Sequence, residues 1–329
     1  MKIAIVILNW NGKKLLQQFL PTVVQYSKEA DIYIADNAST DDSIEYLKTT
    51  FPGVNIIQNK ENFGFAKGYN EALKQVEADV FCLLNNDVEV ASNWLDSIPK
   101  IFNYDTNTVA VQPKILDFNN KDYFEYAGAA GGFIDKYGFP YCRGRIFTSI
   151  EKDKGQFDDN SKIFWGSGAC LFVKRDIFNR LNGFDEAFFA HMEEIDLCWR
   201  INNLGYDIKF AYQSVVYHVG GATLDKSSSK KTYLNFRNSL YGLTKNANGN
   251  IFLILITRLF LDGIATIKFF LDFHGLHAFA ILKSHFSFYM HLPRLLIQRK
   301  SIKNKRNYYH KTSIVWSFFI NHIKEYNRL

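Results

Sequence analysis

Four times within the first 102 residues, a short apolar run rich in β-branched residues passes through a polar turn into a stretch of helical length. The runs at 2–8 (KIAIVIL), 31–35, 54–58 and 80–84 read as strands, and 13–26, 41–49, 66–76 and 92–102 as the helices that follow them. A strand with one wet face alternates polar and apolar residues. These runs do not, so both faces are to be covered, as in a parallel sheet with helices on each side. Right-handed crossovers leave few ways to connect such units, and the expectation is a doubly wound α/β sheet. Ligands of these sheets sit at the carboxyl ends of the strands. Each of the four ends here supplies amides or carboxylates: Asn9 and Asn11, Asp36 and Asn37, Asn59 and Asn62, then Asn85, Asn86 and Asp87.

After about residue 105 the rhythm changes. Residues 128–145 (GAAGGFIDKYGFPYCRGR) predict a hairpin turning at 135–138, and 163–173 a loop running into a strand. Helices are expected at 175–181 and 193–204, the second stopped by Gly205, and two short strands at 208–211 and 214–217 lead to His218. With 47% hydrophobic and 22% charged residues, the chain can bury one large α/β domain and an appendage. Cys82, Cys142, Cys170 and Cys198 form no close pair of the kind that a zinc or dithiol site needs, which fits a reduced, cytosolic compartment. Residues 1–8 also lack the basic, apolar and small-residue succession of a secretory signal. Charge is unevenly spread: residues 251–329 hold 12 Lys and Arg against 3 Asp and Glu, so the +6 of the whole chain conceals an acidic first part. The helix-stopping cluster at 246–250 (NANGN) marks the boundary. The expected division is a catalytic domain at 1–245, with halves near 1–105 and 106–245, and a helical, basic and aromatic extension at 246–329.

The candidate chemistry lies at the strand ends. Asp87, in the turn Asn85-Asn86-Asp87, can reach a divalent cation, since Mg²⁺ and Mn²⁺ accept few protein ligands when water and a diphosphate complete the shell. The same three residues also make an ordinary turn. Asp36 precedes Ser39 and Thr40, which are placed to cap the next helix, and is itself expected to be free for a base edge. Asn62 to Asn70 (NFGFAKGYN) carries two glycines around a helix start, which allows backbone to approach a ligand, but it is not a G-x-G-x-x-G fingerprint. Glu193, Glu194 and Asp196 open the helix at 193–204, where its dipole favours carboxylates without any function. Crowded, desolvated carboxylates also rise in pKa toward the range of a general base. His218, before Val219-Gly220-Gly221, suits either a structural histidine or a metal ligand.

Seven stretches in order, ILNWNG (7–12), ADNASTDDS (35–43), NFGFAKGYN (62–70), LLNNDVEV (83–90), GSGACLFVKRDIF (166–178), NGFDEAFFAHMEEIDLCWR (182–200) and HVGGAT (218–223), resemble glycosyltransferase family 2, in particular its rhamnosyltransferase-like branch with the GT-A fold. YLNFRNSLY (233–241) resembles the helix that closes such domains. The resemblance implies an inverting, metal-dependent transfer from a nucleotide-diphosphate sugar, dTDP-L-rhamnose or a UDP-hexose, to a saccharide or lipid-linked saccharide in cell-surface polysaccharide synthesis. It places Asn9, Asn11, Asp36 and Asn37 around the nucleotide, with Asn62, Lys67, Asn85 and Asn86 on the donor side, Asp87 and His218 at Mg²⁺ or Mn²⁺, and the base among Glu193, Glu194 and Asp196. Two positions depart from the family pattern: Asn85 replaces the first acid of an Asp-x-Asp turn, and Glu194 replaces the usual aspartate base. Those departures keep a non-catalytic sugar- or nucleotide-binding protein as the alternative. A sugar-nucleotide pyrophosphorylase would need a glycine-rich basic loop after the first strand, and Asn9-Trp10-Asn11-Gly12 is not one.

Residues 251–282 are apolar but interrupted by Arg258, Asp262, Lys268, Asp272 and His274, short of the ~20 apolar residues of a spanning helix. A helical pair packed on the domain is one reading. The other is interfacial attachment, in which Phe286, Phe288, Tyr289, Leu292, Leu295 and Leu296 precede Arg299, Lys300, Lys303, Lys305 and Arg306 against anionic lipid on the inner face of the plasma membrane. Nucleic acid is not expected, because no binding module accompanies the charge.

Overall fold

The computed structural model of the chain describes residues 1–220 and 228–329, so Gly221, Ala222 and Thr223 of the HVGGAT stretch lie outside the described residues. The first half alternates as the apolar runs predict: β1 (Ile3–Asn9), α1 (Lys13–Tyr26), β2 (Asp31–Asp36), α2 (Ser43–Thr50), β3 (Asn55–Gln58), α3 (Gly64–Leu73) and β4 (Val80–Asn85). β1 pairs in parallel with β2 and β4, and β2 with β3. The register sets Asn9 beside Asp36 and Leu8 beside Asn85, so the polar strand ends share one edge. β1 and β4 are buried almost throughout because apolar layers cover both faces, one side burying Val6, Tyr69 and Phe81, the other Ile5, Leu20 and Leu84.

One expectation holds only in part. The helix predicted over 92–102 forms only from Ile98 on, as α4 (Ile98–Tyr104), and a turn separates it from β5 (Val88–Val90). Val88 and Val90 find partners on a distant strand, and Trp94 is buried with its indole N–H donating to Ser27 Oγ at 3.0 Å, so long-range pairing overrides local helix propensity. β6 (Thr108–Asp117) continues the sheet, and β7 (Gly132–Ile134), β8 (Pro140–Cys142), β9 (Arg145–Ile146) and β10 (Ser149–Ile150) form a small second sheet whose first hairpin turns where predicted. β11 (Lys162–Ile163), β12 (Cys170–Lys174), α5 (Arg175–Arg180), α6 (Glu193–Leu204) and β13 (Asp207–His218) follow. The two strands expected at 208–217 are one, because a register shift between Ala211 and Val215 absorbs Tyr212 to Ser214 without ending the pairing with β6. The main sheet runs β11-β13-β6-β12-β4-β1-β2-β3, parallel at the β3 end and mixed beyond β4, with β5 on β13.

α7 (Ser229–Asn246), α8 (Ile251–Leu271), α9 (Gly275–Ser301) and α10 (Ile314–Phe319) complete the chain. α9 packs along α7, and the segment after it returns to the small sheet. Tyr308 packs on Trp199 with ring centroids 4.7 Å apart, and Tyr326 lies on Phe133 and Tyr141. Ile254, Phe288, Leu295, Tyr308 and Ile314 therefore belong to the same core as β6 and α6. Part of the basic run after 298 is tied to the domain, while Lys300 and Lys303 stay exposed. Arg299 donates to the carbonyls of Thr244, Ala247 and Gly249, Lys305 donates to those of Arg299 and Ile302, and the Arg306 backbone bonds Asn203. Among the described residues no helix is long and apolar enough to cross a membrane.

Candidate active site

The ends of β1 and β2 are joined by a dense amide and hydroxyl network. Asn9 Nδ2 donates to Asp36 Oδ1 (3.2 Å) and Ser39 Oγ (3.3 Å), while Asn86 Nδ2 donates to Asn9 Oδ1 (3.1 Å). A Cβ on Gly12 would stand 2.3 Å from Asn9 Oδ1 and 2.5 Å from Asn86 Nδ2, so only glycine lets this loop lie over them. Asp36 is not free, contrary to the sequence expectation. It is 1% exposed and accepts from Ser39 N (2.9 Å) and Ser39 Oγ (2.5 Å), which closes the turn after β2. Ser39 and Thr40 correspondingly do not cap the next helix, which starts at Ser43. They tie the turn to Asn11 instead, whose N–H donates to Ser39 Oγ (2.9 Å) and whose Oδ1 accepts from Thr40 N (2.7 Å). Asn37 Nδ2 donates to Asn62 Oδ1 (3.1 Å) and the Gly64 carbonyl (2.9 Å), and the Lys67 ammonium stands 4.1 Å from the Phe63 ring centre. Trp10, which the sequence reading passed over, is 52% exposed between Asn9 and Asn11.

β13 carries His218 to the edge of the β4 turn. Its Nε2 lies 3.1 Å from Asp87 Oδ1 and 3.3 Å from Asn85 Nδ2, and its Nδ1 lies 3.3 Å from Glu125 Oε2. All of His218, Asp87 and Glu125 are buried. Burial alone would depress the imidazole, but the contact with Asp87 and the negative charges of Asp87 and Glu125 push it up to about 10. Glu125, between β6 and β7, was missed from sequence: it is an isolated acid among apolar and aromatic residues. Nδ1 is close to it but misaligned, and has no hydrogen-bond partner.

No group of three or more His, Cys, Asp and Glu among the described residues is arranged to hold an ion alone. Asp87 Oδ1 and His218 Nε2 are instead paired with each other. Two neighbouring ligands of one Mg²⁺ or Mn²⁺ would have a similar separation, about 3 Å, but an ion there would first have to displace the proton that Nε2 shares with Asp87, with Glu125 behind the ring as the charge that faces Nδ1.

The carboxylates of α6 follow a strained approach. Phe189, His191 and Met192 have φ of +63°, +67° and +71°, a region that costs side-chain-bearing residues of order 1 kcal/mol each. α7 holds this loop in place: Asn238 Nδ2 donates to the carbonyls of Phe188 (3.0 Å), Ala190 (2.9 Å) and His191 (2.7 Å), and Arg237 to those of Ala187 and Phe188. Glu193 and Glu194 each keep one buried carboxylate oxygen with no hydrogen-bond partner, as does His191 Nε2. Burial raises Glu194 to about 7, and burial together with the Glu194 charge raises Glu193 further above its ordinary range. Burial pushes His191 down to about 4.

Asp196 lies apart from this arrangement. It is enclosed by Arg200 Nε (2.8 Å), Asn246 Nδ2 (2.8 Å) and Lys245 Nζ (2.9 Å). Burial would raise it, but the Lys245 and Arg200 charges hold it below its usual value, which suits a strut between α6 and α7 and not a base. Of the two carboxylate residues before it, Glu194 lies beside the loop that leads into β12. A Cβ on Gly168 would lie 3.9 Å from Glu194 Cβ, and the neighbouring Ala169 carbonyl accepts from Asn85 N at 3.0 Å. One sheet edge thus gathers Asn9, Asn11, Asp36, Asn37, Asn85, Asn86, Asp87 and His218, and Glu194 stands beside Gly168, next to the residue that bonds Asn85.

A family model described as glycosyl transferase family 2 matches residues 4–181. The N-acetylglucosaminyl-diphospho-decaprenol L-rhamnosyltransferase of Mycobacterium tuberculosis is 22% identical over 218 residues, covering 62% of this chain and 71% of that protein. Among solved structures, mannosyltransferase PcManGT from Pyrobaculum calidifontis, in complex with GDP-Man and Mn²⁺, superposes with a TM-score of 0.53 at 15% identity over 92% of this chain and 73% of its own. GalNAc-T7 with UDP, GalNAc and Mn²⁺ superposes with a TM-score of 0.54 at 18% identity over 66% of this chain, which spans only 43% of that one. The ordered strand ends, the mixed sheet and a match over more than half of its length show that this chain belongs to glycosyl transferase family 2 and has the GT-A fold.

Proposed function

We propose that this chain is an inverting glycosyltransferase that moves a sugar from a nucleotide-diphosphate donor to a hydroxyl of a saccharide or lipid-linked saccharide in cell-surface polysaccharide synthesis. The observation that carries the reading is the pair of buried, unpartnered carboxylate oxygens on Glu193 and Glu194, with Glu194 raised to about 7, beside the donor edge. An acceptor hydroxyl is the group that such an oxygen lacks. Glu194 takes the hydroxyl proton as the oxygen attacks the anomeric carbon. The carbon–oxygen bond to the diphosphate breaks in the same step, its electron pair leaves with the diphosphate, and the configuration inverts. Asp87 and His218 are the residues that would hold a divalent cation, which when bound would offer positive charge to the departing diphosphate. Asn9, Asn11, Asn37 and Asn62 shape the nucleotide side, residues 1–105 forming the donor half and 106–245 the half that carries the base.

The proposed donor is dTDP-L-rhamnose, with a UDP-hexose second. Support comes from the M. tuberculosis rhamnosyltransferase and from solved structures holding UDP or UDP-GlcNAc. The decaprenol in that relative's name supports a lipid-linked acceptor, and with it a place on the inner face of the plasma membrane. The departures at Asn85 and Glu194 favour a second reading, a binding protein without turnover. Incubation with each nucleotide sugar and Mn²⁺ separates them: released nucleotide and a product of inverted anomeric configuration by NMR are expected. Tight donor binding without donor hydrolysis or transfer would favour the binder, and a retained configuration would remove the mechanism.

A further inference from the structure

α8 and α9 are amphipathic in the opposite sense to helices that face water. Two of the three charges of α8 point inward, Lys268 in the last turn being exposed: Arg258 and Asp262 are 2% and 0% exposed and pair at 2.8 Å, Arg258 also donates to the Tyr137 carbonyl and Ser239 Oγ, and Asp262 lies 3.2 Å from His285 Nε2. The outward stripe is apolar. Leu253, Phe260 and Ile267 on α8, Phe273 at the turn, and Phe279 and Phe286 on α9 are between 60% and 97% exposed. Isolated apolar residues on a surface need no explanation, but a continuous stripe along 21- and 27-residue helices, about 32 and 40 Å long, does.

Charge identifies the occupant. Asp262 and Asp272 are the acids of these two helices, and both are matched, the first by Arg258 and His285, the second by Lys268 at 2.6 Å. Lys283 and Lys300 are exposed on α9, with Lys303 just beyond it, so the face is a hydrophobic strip bordered by cations. A second copy would bring the same cations together, whereas anionic headgroups neutralise them while acyl chains cover the strip. We propose that the α8–α9 hairpin docks on an anionic lipid bilayer, lying in the boundary between headgroups and chains. This rests on the proposed lipid-linked acceptor for its purpose but not for its physics. It also redraws the membrane contact expected from the sequence over 286–306: Phe286, Lys300 and Lys303 stay in it, whereas Phe288 and Leu295 are buried and Arg299 and Lys305 are spent on backbone carbonyls.

The test is flotation of the full chain with vesicles of phosphatidylcholine alone or mixed with phosphatidylglycerol. The wild type is expected to float with the mixed vesicles and less with the neutral ones. Phe260→Glu/Ile267→Glu is expected to lower the floating fraction by roughly tenfold or more, since each burial lost is worth a factor of that order. Lys283→Glu/Lys300→Glu is expected to remove the preference for phosphatidylglycerol. Thermal melting and protection by nucleotide sugar are read on every variant, and the expectation is that neither changes. A wild type that stays with the soluble fraction, or a Phe260→Glu/Ile267→Glu variant that floats as well as the wild type, would overturn the proposal. So would a dimer in sedimentation velocity that this variant converts to monomer, since the strip would then be a protein interface. Flotation without nucleotide-sugar binding would leave the docking surface standing and remove the transferase reading alone.

Discussion

As the proposed base, Glu194 sets the expected pH dependence of the reaction. A base held at about 7 must lose its proton to act, so the rate should climb as pH rises through about 7 and level off above it. Glu194→Gln should abolish that limb and cost ~10²–10⁴-fold in kcat with donor binding retained, measured by single-turnover transfer. The stability effect has the opposite sign. Because the folded state holds protons on Glu193 and Glu194 more tightly than the unfolded chain does, stability is greatest below the ordinary glutamate range and falls as pH rises through about 7. Glu194→Gln should therefore melt higher than the wild type at pH 8, in calorimetry. Glu125 touches the His218 ring, so if the proposed Asp87–His218 pair holds Mn²⁺, Glu125→Gln should raise the Mn²⁺ concentration needed for half-maximal activity by ~10–100-fold, and Glu125→Asp should restore part of it. Asp87 and His218 were legible in the sequence because each ends an apolar run. Glu125 was not, since it meets His218 only through the pairing of β6 with β13. The closure of Asp36 by Ser39 was equally hidden, because a turn sequence does not say which acceptor its hydroxyl takes.

Among the elements, α7 controls the shape of the loop before α6. Asn238→Ala removes three hydrogen bonds from carbonyls of residues in or beside left-handed backbone, and should cost about 1–3 kcal/mol in urea unfolding. Its kcat should fall further than its KM changes, because Glu193 and Glu194 follow directly on that loop. Asn238→Asp keeps the acceptor shape but presents oxygen to oxygen, and should not rescue it. Helices with a clear apolar period and a stop signal, such as α1 and α6, stand where the sequence put them. The 92–102 helix starts late because Val88, Val90 and Trp94 satisfy partners more than 60 residues away, information that a local pattern does not hold.

At the scale of the molecule, composition marks a change near residue 246, yet one core runs through both sides of it. Tyr308→Ala should remove about 3 kcal/mol by opening a hole on Trp199, measured by urea denaturation. The parallel half of the fold was readable because its strands are continuous and near in sequence. The return of Tyr308 and Tyr326 was not, because aromatic residues in a basic tail suit a lipid surface as well as a core. That return path also orders events during translation. The ring of Tyr326 settles on Phe133 and Tyr141 only after a further 80 residues beyond Asn246 have been made, about 4–16 s at ordinary elongation speeds. For that interval the nascent polypeptide carries an otherwise assembled sheet with bare aromatic rings, a natural client for a ribosome-associated chaperone.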